Sequence, residues 1–328
     1  MQIVTMSVVK ETILLLNDGR IGNFNQVKAL TQNLEQKYNI IEKKITFSFF
    51  IFLPNFINLF FNTGVNHKKL TRNVTKANFI LSSGRRSALA AVIIKKKIKD
   101  AQIIQLMRPE LKAKYFSFIA TPKHDNYKFA DYEMLLAPNL ISAEALSKAA
   151  KKWPKSAKPL KIIAIIIGGD TKNNKINHNK IQTFCAKIHE LQQKYKLKLI
   201  IVTSRRTPLS FADELERHFS KNTDFFFWHK INQKNNPYLS ILAIADYFLV
   251  TADSVSMISD CLATAKPTII YKSGFGELKH QKIINNLIKN NYIFSMEQVL
   301  KEENLNIKAK KLVEAHNLQL AISKKLRF

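Results

Sequence analysis

Small, hydroxyl-bearing and acidic residues between two apolar runs form a pattern that suits the binding of an anion. The stretch Thr251–Ser256 predicts a polar turn between a strand and a short helix, with free backbone amides at the helix start. We expect Asp253, Ser254 and Ser256 to bind a nucleotide diphosphate there. Asp260, one helical turn further on, is placed to bind ribose hydroxyls. Many turns of this kind contain Ser and Asp only as helix caps, so the interpretation as a binding site depends on the other loops of the chain.

Two further loops in the second half of the sequence have similar chemistry. Gly168 and Gly169 follow an isoleucine-rich run and allow a phosphate or sugar to approach the backbone closely. Ser204, Arg205 and Arg206 follow another apolar run, and a guanidinium group binds phosphate in a bidentate manner. An arginine pair is unusual in a chain that strongly prefers lysine. We therefore assign both loops to the same predicted anion-binding site as the turn Thr251–Ser256.

The first half contains two loops of the same type. Asp18 follows the first predicted strand and is a candidate general base for an acceptor hydroxyl, although it can also simply cap its own turn. The second loop is Ser83–Arg86, where a strand ends in Gly and two guanidinium groups. The residues that we expect to contact the acceptor are Gly19, Arg20, Asn23, Gln26, Arg85 and Arg86.

His124 is the second candidate base, because the adjacent pair His124-Asp125 follows a predicted strand. Neighbours in sequence do not readily form a base and orienting-group pair, so His124 is alternatively an ordinary loop histidine. The sequence contains no dinucleotide GxGxxG, HExxH, P-loop, GxSxG or kinase pattern. We expect neither a bound metal nor a resident cofactor.

These loops lie between apolar runs and helical patterns that alternate along the whole chain, which predicts parallel sheets covered by helices. The predicted strands are 12–16, 40–45, 79–82, 101–106, 115–120, 133–136, 161–167, 197–202, 225–228, 247–250 and 268–271. The predicted helices are 23–36, 55–62, 86–94, 179–195, 208–219, 237–245 and 256–264. The expected fold is α/β, with two doubly wound, Rossmann-like domains facing a central cleft.

The predicted domain boundaries follow from a break in composition. Two prolines and a cationic run at 148–159 indicate a linker, which we place at 151–160. The predicted first domain is 1–150 and the predicted second domain is 161–306. Residues 307–328 are predicted to form a helix that packs back on the first domain.

The 328-residue chain has a formal net charge of +28, from 52 Lys and Arg against 24 Asp and Glu. An AT-rich genome that favours lysine is one explanation, and attraction to a polyanion is the other. The lysines are scattered and no nucleic-acid motif occurs, so an acidic membrane surface is favoured over nucleic acid as partner. The N-terminus lacks a secretory pattern and the two cysteines lack metal spacing, so we expect a cytoplasmic protein with buried, free thiols.

A phenylalanine-rich segment at 45–61 is the second indication of a membrane. It is too short to span a bilayer and is interrupted by Pro54, Asn55 and Asn58. It can lie in the membrane interface, with Phe56 and Phe60 on one helical face. The alternative is an ordinary core strand followed by a core helix.

In combination, the motifs resemble those of the mitochondrial-fission ELM family, and the chain is similar to its bacterial branch. The matching motifs are Asp-Gly-Arg-x-Gly-Asn-x-Asn-Gln (18–26), Ser-Gly-Arg-Arg (83–86), Pro-x-His-Asp (122–125), Ile-Gly-Gly (167–169), Thr-Ser-Arg-Arg-Thr-Pro (203–208) and Thr-Ala-Asp-Ser-Val-Ser-Met (251–257). The family is more distantly similar to GT-B glycosyltransferases. In that fold an acidic residue followed by Gly-x-Pro contacts the donor ribose, and here Asp260 and Ala265-Lys-Pro267 match that spacing with two substitutions.

The resemblance implies a metal-independent glycosyltransferase at the inner face of the cell membrane, with a nucleotide sugar as substrate and a lipid or envelope molecule as acceptor. It further implies that the second domain, 161–306, binds the nucleotide-sugar donor through the loop residues named above, and that the first domain, 1–150, faces the acceptor and the membrane. It also implies an alternative. The plant member that names the family is an adaptor on the mitochondrial surface, so a non-enzymatic membrane adaptor is the second hypothesis.

Overall fold

The computed structural model describes residues 10–153, 160–171, 174–220, 223–226, 236–276 and 278–328. The chain divides into two compact units. The first contains the residues up to Leu140 together with Glu314–Phe328, and the second contains Ile141–Val313. Each unit has one six-stranded sheet in which all the paired strands are parallel. The predicted α/β fold with two doubly wound sheets is confirmed.

The sheet of the first unit has the strand order β2-β1-β3-β4-β5-β6. Its elements are β1 (Glu11–Asn17), α1 (Ile21–Ala29), β2 (Tyr38–Lys44), α2 (Asn55–Phe60), α3 (His67–Thr71), β3 (Phe79–Ser83), α4 (Gly84–Lys97), β4 (Gln102–Leu106), β5 (Phe118–Pro122) and β6 (Tyr132–Met134). β1 is a continuous apolar run because helices cover both faces of the sheet. The chain reverses its direction of progress across the sheet between β1 and β3, which we call the first switch point.

The sheet of the second unit has the order β12-β11-β10-β7-β8-β9. Its elements are α5 (Ala143–Ala150), β7 (Ile162–Ile167), α6 (His178–Tyr195), β8 (Lys198–Thr203), α7 (Leu209–Phe219), β9 (Thr223–Phe226), α8 (Tyr238–Ile244), β10 (Tyr247–Thr251), α9 (Val255–Ala263), β11 (Thr268–Tyr271), α10 (Leu278–Lys289), β12 (Phe294–Ser295) and α11 (Met296–Val299). This is the strand order of nucleotide-binding sheets, and its reversal lies between β7 and β10. We call that place the second switch point.

The last helix, α12 (Glu314–Leu326), belongs to the first unit. Leu318 and Ile322 are fully buried in the core beside β5 and β6. The Tyr132 hydroxyl donates to the Glu314 carboxylate over 2.9 Å, and the Phe328 ring stacks on Tyr38 with centroids 5.7 Å apart. Burial of these side chains attaches α12 to the first sheet.

The elements differ from the predictions mainly at short segments. α3, α5, α10, α11 and the two-residue β12 are additional, and α1 ends at Ala29 rather than near residue 36. The residues of α5 were predicted to belong to the first domain, but α5 lies in the second unit and packs on α8. Most of the predicted linker, residues 154–159, and residues 227–228 of a predicted strand lie outside the described residues.

Both cysteines, Cys185 and Cys261, are buried free thiols, as predicted. Burial raises the pKa of the Cys185 thiol to about 12, and the nearby Glu214 carboxylate adds to this effect. Within the described ranges, no helix combines the length and the apolar composition that crossing a membrane requires.

Candidate functional site

The ends of β7, β8 and β10 meet at the second switch point and bring most of the predicted donor residues together. The Gly168 amide donates to the Thr251 hydroxyl over 2.9 Å, and the Gly169 amide donates to the Asp253 carboxylate over 2.9 Å. These bonds join the loop after β7 to the loop after β10. The switch point is therefore a cross-linked backbone frame rather than a set of independent loops.

The buried Asp253 carboxylate is the centre of this frame. Besides the Gly169 amide, it accepts a hydrogen bond from the Thr251 hydroxyl over 2.7 Å and one from the Arg206 guanidinium over 2.8 Å. The Asp253 side chain is 1% exposed and that of Arg206 is 40% exposed. The Asp253 carboxylate is thus hydrogen-bonded and paired within the protein, and it fixes the Arg206 guanidinium beside the loop after β7. Its predicted contact with a diphosphate remains a prediction.

Both glycines after β7 are required by close packing. A Cβ atom on Gly168 would lie 1.9 Å from an Asp253 carboxylate oxygen. A Cβ atom on Gly169, whose φ is +150°, would lie 2.1 Å from the Arg206 carbonyl oxygen. No side chain fits at either position, so the two glycines serve contacts within the protein and not only the approach of a ligand.

Hydroxyl groups hold the loop after β8 against the same glycine. The Ser204 and Thr207 side chains both donate to the Gly168 carbonyl oxygen, and the Asp170 amide donates to the Arg206 carbonyl over 2.9 Å. Thr207 and Thr251 were not predicted as site residues. Their positions at strand ends resemble those of the predicted serines, but only the long-range contacts identify them.

Three polar groups at this edge remain available to a ligand. Ser254 precedes α9, and its hydroxyl makes no hydrogen bond to any residue that the structure describes. Ser256 and Arg205 are exposed, and within the same described ranges Arg205 has no acidic partner. With the part-exposed Arg206, these groups surround the start of a nine-residue helix, an arrangement that favours a negatively charged ligand.

Asp260 lies further along α9 and contacts α8. It accepts a hydrogen bond from the Tyr238 hydroxyl over 3.1 Å. Burial raises the pKa of Asp260 from its ordinary value of 3.8 to about 7, and the Tyr238 hydrogen bond opposes this shift. Ala265, at the position of the glycine in the Gly-x-Pro pattern, has a φ of +62°, so the fold needs a left-handed residue there.

Asp18 occupies the first switch point. Its carboxylate accepts a hydrogen bond from the Arg20 amide over 3.0 Å and one from the Asn23 side chain over 2.9 Å. The carboxylate is buried, and among the described residues no cationic side chain lies within 4 Å of it. Gly84, with φ +79°, packs on the Asn23 amide, while Ser83 donates to Gln26 over 3.2 Å. These loops therefore meet, as predicted.

The Arg85 and Arg86 side chains hold the phenylalanine-rich segment. The Arg85 guanidinium donates to the carbonyls of Ile51 and Leu53, each over 2.8 Å. The Arg86 guanidinium lies 5.4 Å from the centre of the Phe47 ring. Their predicted role in acceptor binding remains a prediction, and the contacts show a structural role for Arg85.

The remaining predicted residues lie apart from these contacts. Arg20 is exposed, and Gly19, with φ +79°, has open space around its Cα. His124 Nε2 lies 3.5 Å from the Asp125 carboxylate, so the two neighbours approach each other more closely than expected. This distance exceeds that of a good hydrogen bond. In the described part of the chain, no group of three His, Cys, Asp or Glu side chains could hold a metal ion.

The phenylalanine-rich segment is exposed, so its interpretation as ordinary core is wrong for most of its aromatic residues. Residues 49–52 form a 3₁₀ helix, which Leu53 and Pro54 separate from α2. Of residues 49–52, only Ile51 is buried. The exposed rings, which we call the aromatic surface, are Phe49, Phe50, Phe52, Phe56, Phe60 and Phe61. Phe49 is 84% exposed and Phe60 79% exposed.

The buried face of α2 is polar. The Asn55 side chain donates to the Arg85 carbonyl over 2.8 Å and to the Pro109 carbonyl over 3.0 Å. The Asn58 side chain donates to the Leu53 carbonyl over 2.9 Å. The helix is therefore held by amide hydrogen bonds and directs phenylalanine rings to the solvent, the reverse of the usual amphipathic arrangement.

Comparison with known proteins assigns the family. The family model described as mitochondrial fission ELM1 matches residues 21–326. The chain belongs to the mitochondrial fission ELM1 family. It is 29% identical to the uncharacterized protein RP120 of Rickettsia prowazekii over 95% of this chain and 99% of that protein. It is 24% identical to the mitochondrial fission protein ELM1 of Arabidopsis thaliana over 58% of this chain and half of the plant protein.

The fold of this ELM1-family chain is also found in solved structures. The UDP-GlcNAc 2-epimerase of Methanocaldococcus jannaschii superposes with a TM-score of 0.56, covering 95% of this chain and 99% of that one, at 12% identity. At that identity the likeness concerns the fold alone. It confirms the predicted GT-B-like, two-domain α/β class.

Proposed function

We propose that the second switch point binds the diphosphate of a nucleotide sugar. The observation that supports this most directly is the fixed frame around Asp253, which holds Arg206 beside the start of α9. The Ser254 hydroxyl at that helix start has no hydrogen-bond partner among the described residues. A helix start and two guanidinium groups supply amide and cationic contacts to a diphosphate. Asp260, whose second carboxylate oxygen is not bonded to Tyr238, is assigned to the ribose hydroxyls.

The proposed reaction transfers the sugar to a hydroxyl of a lipid or cell-envelope acceptor. A base in the first unit takes the proton of the acceptor hydroxyl, whose oxygen then bonds to the anomeric carbon of the sugar. The bond from that carbon to the diphosphate breaks, and the diphosphate leaves with its electron pair. Asp18 is the preferred base because its charge has no cationic partner in the described part of the chain, with His124 as the alternative.

The proposed location is the inner face of the cell membrane, where the protein binds peripherally. The aromatic surface supplies rings that prefer the lipid interface, and the net charge of +28 attracts acidic head groups. We expect sedimentation with vesicles that contain phosphatidylglycerol and little with pure phosphatidylcholine. The variant F52S/F60S should lose this binding, and its failure to do so would exclude the aromatic surface as the membrane contact.

Thermal unfolding with UDP-, GDP-, CMP- and ADP-sugars tests the donor site. The relative of known fold is named for UDP-GlcNAc, so UDP-sugars come first. A ligand at 100 times its Kd stabilises the folded chain by about 2.7 kcal/mol, which is a measurable shift in Tm. The variant R205Q/S254A should lose the shift, while K301Q/K308Q, which removes two exposed lysines elsewhere in the second unit, should keep it. An equal shift in both variants contradicts the assigned site.

Analysis of the reaction products distinguishes sugar transfer from epimerisation, the reaction for which the superposed solved structure is named. Incubation with a nucleotide sugar and a membrane extract should release nucleoside diphosphate and label a lipid or envelope fraction. Incubation without an acceptor should leave the sugar configuration unchanged. An epimerised sugar in the absence of acceptor would overturn the transfer proposal.

The second candidate is a non-enzymatic membrane adaptor, which the family membership and the exposed aromatic surface both favour. An adaptor would bind vesicles normally, give no nucleotide-sugar shift and be unaffected by D18N. Failure of the whole donor panel in a folded sample would make this the working hypothesis.

A further inference from the structure

A cavity of about 790 Å³ lies in the first unit, beside the aromatic surface. Its apolar wall consists of Phe56, Leu59, Phe60, Leu111 and Tyr115. Sites for small molecules usually measure about 300–1,000 Å³ and combine such walls with a few polar groups. The cavity is therefore large enough for an alkyl chain and part of a head group.

Three cations border the same cavity. They are Lys96, Arg108 and Lys112, and none of them has an acidic partner within 4 Å among the described residues. The acidic lining residue, Glu110, faces Arg85 at 3.6 Å. The border of the cavity thus has an excess of positive charge that nothing in the described structure neutralises, and an anion complements it.

The loop that presents Arg108 and Lys112 has an unusual backbone. Met107 and Glu110 both adopt left-handed conformations, with φ of 65° and 53°. Side chains other than glycine cost energy in that region, and such residues concentrate at functional loops. The Asn55 side chain bonds to the Pro109 carbonyl over 3.0 Å, which fastens this loop to α2. The buried asparagine thereby fixes the cationic loop beside the apolar wall.

Tyr127 holds one of the cations in place. The Arg108 guanidinium lies 5.7 Å from the centre of the Tyr127 ring, within the range of a cation–π contact. Burial raises the pKa of Tyr127, an effect that Arg108 opposes, so the phenol stays neutral and can donate a hydrogen bond. A phosphate at this border would therefore meet an ordered guanidinium and a hydroxyl donor.

We propose that this cavity binds one lipid molecule by its apolar chain and its phosphate head group, the chain along Phe56, Leu59 and Phe60 and the phosphate at Arg108 and Lys112. The site belongs to the first unit, and the donor residues belong to the second. Its identification with the acceptor of sugar transfer rests on the proposed function, whereas lipid binding itself does not.

Calorimetric titration of the full chain with dodecyl phosphate, below its micelle concentration, tests the site. Dodecyl maltoside has the same alkyl chain with a neutral head group, and inorganic phosphate represents the head group alone. We expect one dodecyl phosphate per chain, weaker binding of the maltoside and no binding of phosphate at the same concentration. The variant R108Q/K112Q should bind dodecyl phosphate at least about tenfold more weakly, because contacts to charged groups are each worth about one order of magnitude.

The controls separate a built site from general adsorption. R108Q/K112Q should bind the maltoside as the parent does, F60S should weaken both alkyl ligands, and K301Q/K308Q should change neither. Equal binding of both alkyl ligands, or several ligands per chain, would overturn the proposal. So would an equal loss of dodecyl phosphate affinity in R108Q/K112Q and K301Q/K308Q. So would sedimentation of the ligand-free chain as a dimer that F60S dissociates, because a second copy would then cover this face.

The nucleotide-sugar unfolding experiment and the dodecyl phosphate titration test two separate proposals, and a negative result in one does not decide the other. A chain that binds dodecyl phosphate but no nucleotide sugar keeps the lipid site and loses the transferase function. A chain that binds a nucleotide sugar but no dodecyl phosphate keeps the donor site and takes its acceptor elsewhere.

Discussion

The two switch points have the same construction but differ in the treatment of their carboxylates. In each unit a buried aspartate follows a central strand. Asp18 accepts hydrogen bonds from within its own loop and the helix that follows it. Asp253 accepts them from Thr251 at its own strand end and from Gly169 in the loop after β7. Asp253 is paired with the Arg206 guanidinium. Among the described residues, Asp18 accepts hydrogen bonds from the Arg20 backbone amide and the Asn23 side chain, both of them uncharged.

This difference is the basis for proposing different roles for Asp253 and Asp18. A carboxylate that is ion-paired and fully hydrogen-bonded stays in one position, and it fixes the backbone that a ligand would contact. Asp18 has no cationic partner among the described residues, so no ion pair fixes it to a second loop. On the proposed function, Asp253 positions the loops and Asp18 is the base. Four sets of measurements can break or sharpen this comparison.

Alanine at the two close-packed glycines should give the largest difference. Gly168→Ala places a Cβ atom 1.9 Å from the Asp253 carboxylate, which cannot move without breaking the frame, so we expect a loss of about 4 kcal/mol. Gly84→Ala meets the Asn23 side chain at the longer distance of 3.0 Å and mainly incurs the left-handed penalty of about 1–2 kcal/mol. Urea unfolding followed by circular dichroism measures both. Equal losses would mean that the two switch points are equally rigid.

Removal of each negative charge should give the next largest difference. Asp253→Asn leaves Arg206 unpaired and should cost about 3 kcal/mol, reduced from a fully buried pair because the guanidinium is 40% exposed. Asp18→Asn leaves no cation unpaired and should cost about 1 kcal/mol. If sugar transfer is established, Asp18→Asn should nevertheless lower its rate at least about 100-fold. A greater stability loss for Asp18→Asn would reverse the assigned roles.

Asp260 differs from both aspartates and predicts a pH dependence. Its pKa of about 7 in the folded chain exceeds its ordinary 3.8, so the folded state binds the extra proton. The stability that protonation contributes is complete below pH 3.8 and is lost as the pH rises to 7. Asp260→Asn should therefore gain on the order of 2 kcal/mol relative to the parent between pH 5 and pH 8. Thermal unfolding of both chains across this range measures it, and parallel curves would contradict the raised pKa.

Ala265 should give the smallest effect. Its left-handed backbone favours glycine, so Ala265→Gly should stabilise the second unit by about 0.5 kcal/mol after the entropy of the unfolded chain is included. Ala263→Gly, two residues earlier and inside α9, should instead destabilise by about 1 kcal/mol. Urea unfolding of the two variants should thus show opposite signs. A shared sign would mean that the backbone conformation at 265 carries no cost.

The strands and their polar ends could be predicted because the signal is local. An isoleucine-rich run such as β7 has few alternatives to a buried parallel strand, and a glycine pair after it indicates a loop at the sheet edge. The loops after β7, β8 and β10 were therefore assigned to one site. The two-residue β12 is too short for any periodic pattern, and α10 contains few local signals of its start.

The contacts that define each role could not be predicted, because they join distant residues. Asp253 and Arg206 are 47 positions apart, and nothing in either loop alone shows that the carboxylate is already bonded. The inverted orientation of α2 depends on the carbonyls of Arg85 and Pro109, which accept from Asn55. Hydrophobic periodicity alone would bury Phe56 and Phe60 instead of the asparagines.

The position of α12 determines the order in which the chain can fold during synthesis. Leu318 and Ile322 complete a core whose other members come mainly from residues 13–134. A ribosome that has just released the first sheet has therefore produced a half-covered apolar surface, and it must translate the whole second unit before the covering helix emerges. At about 5–20 residues per second this interval lasts roughly ten seconds or more, during which the exposed face is a natural target for chaperones.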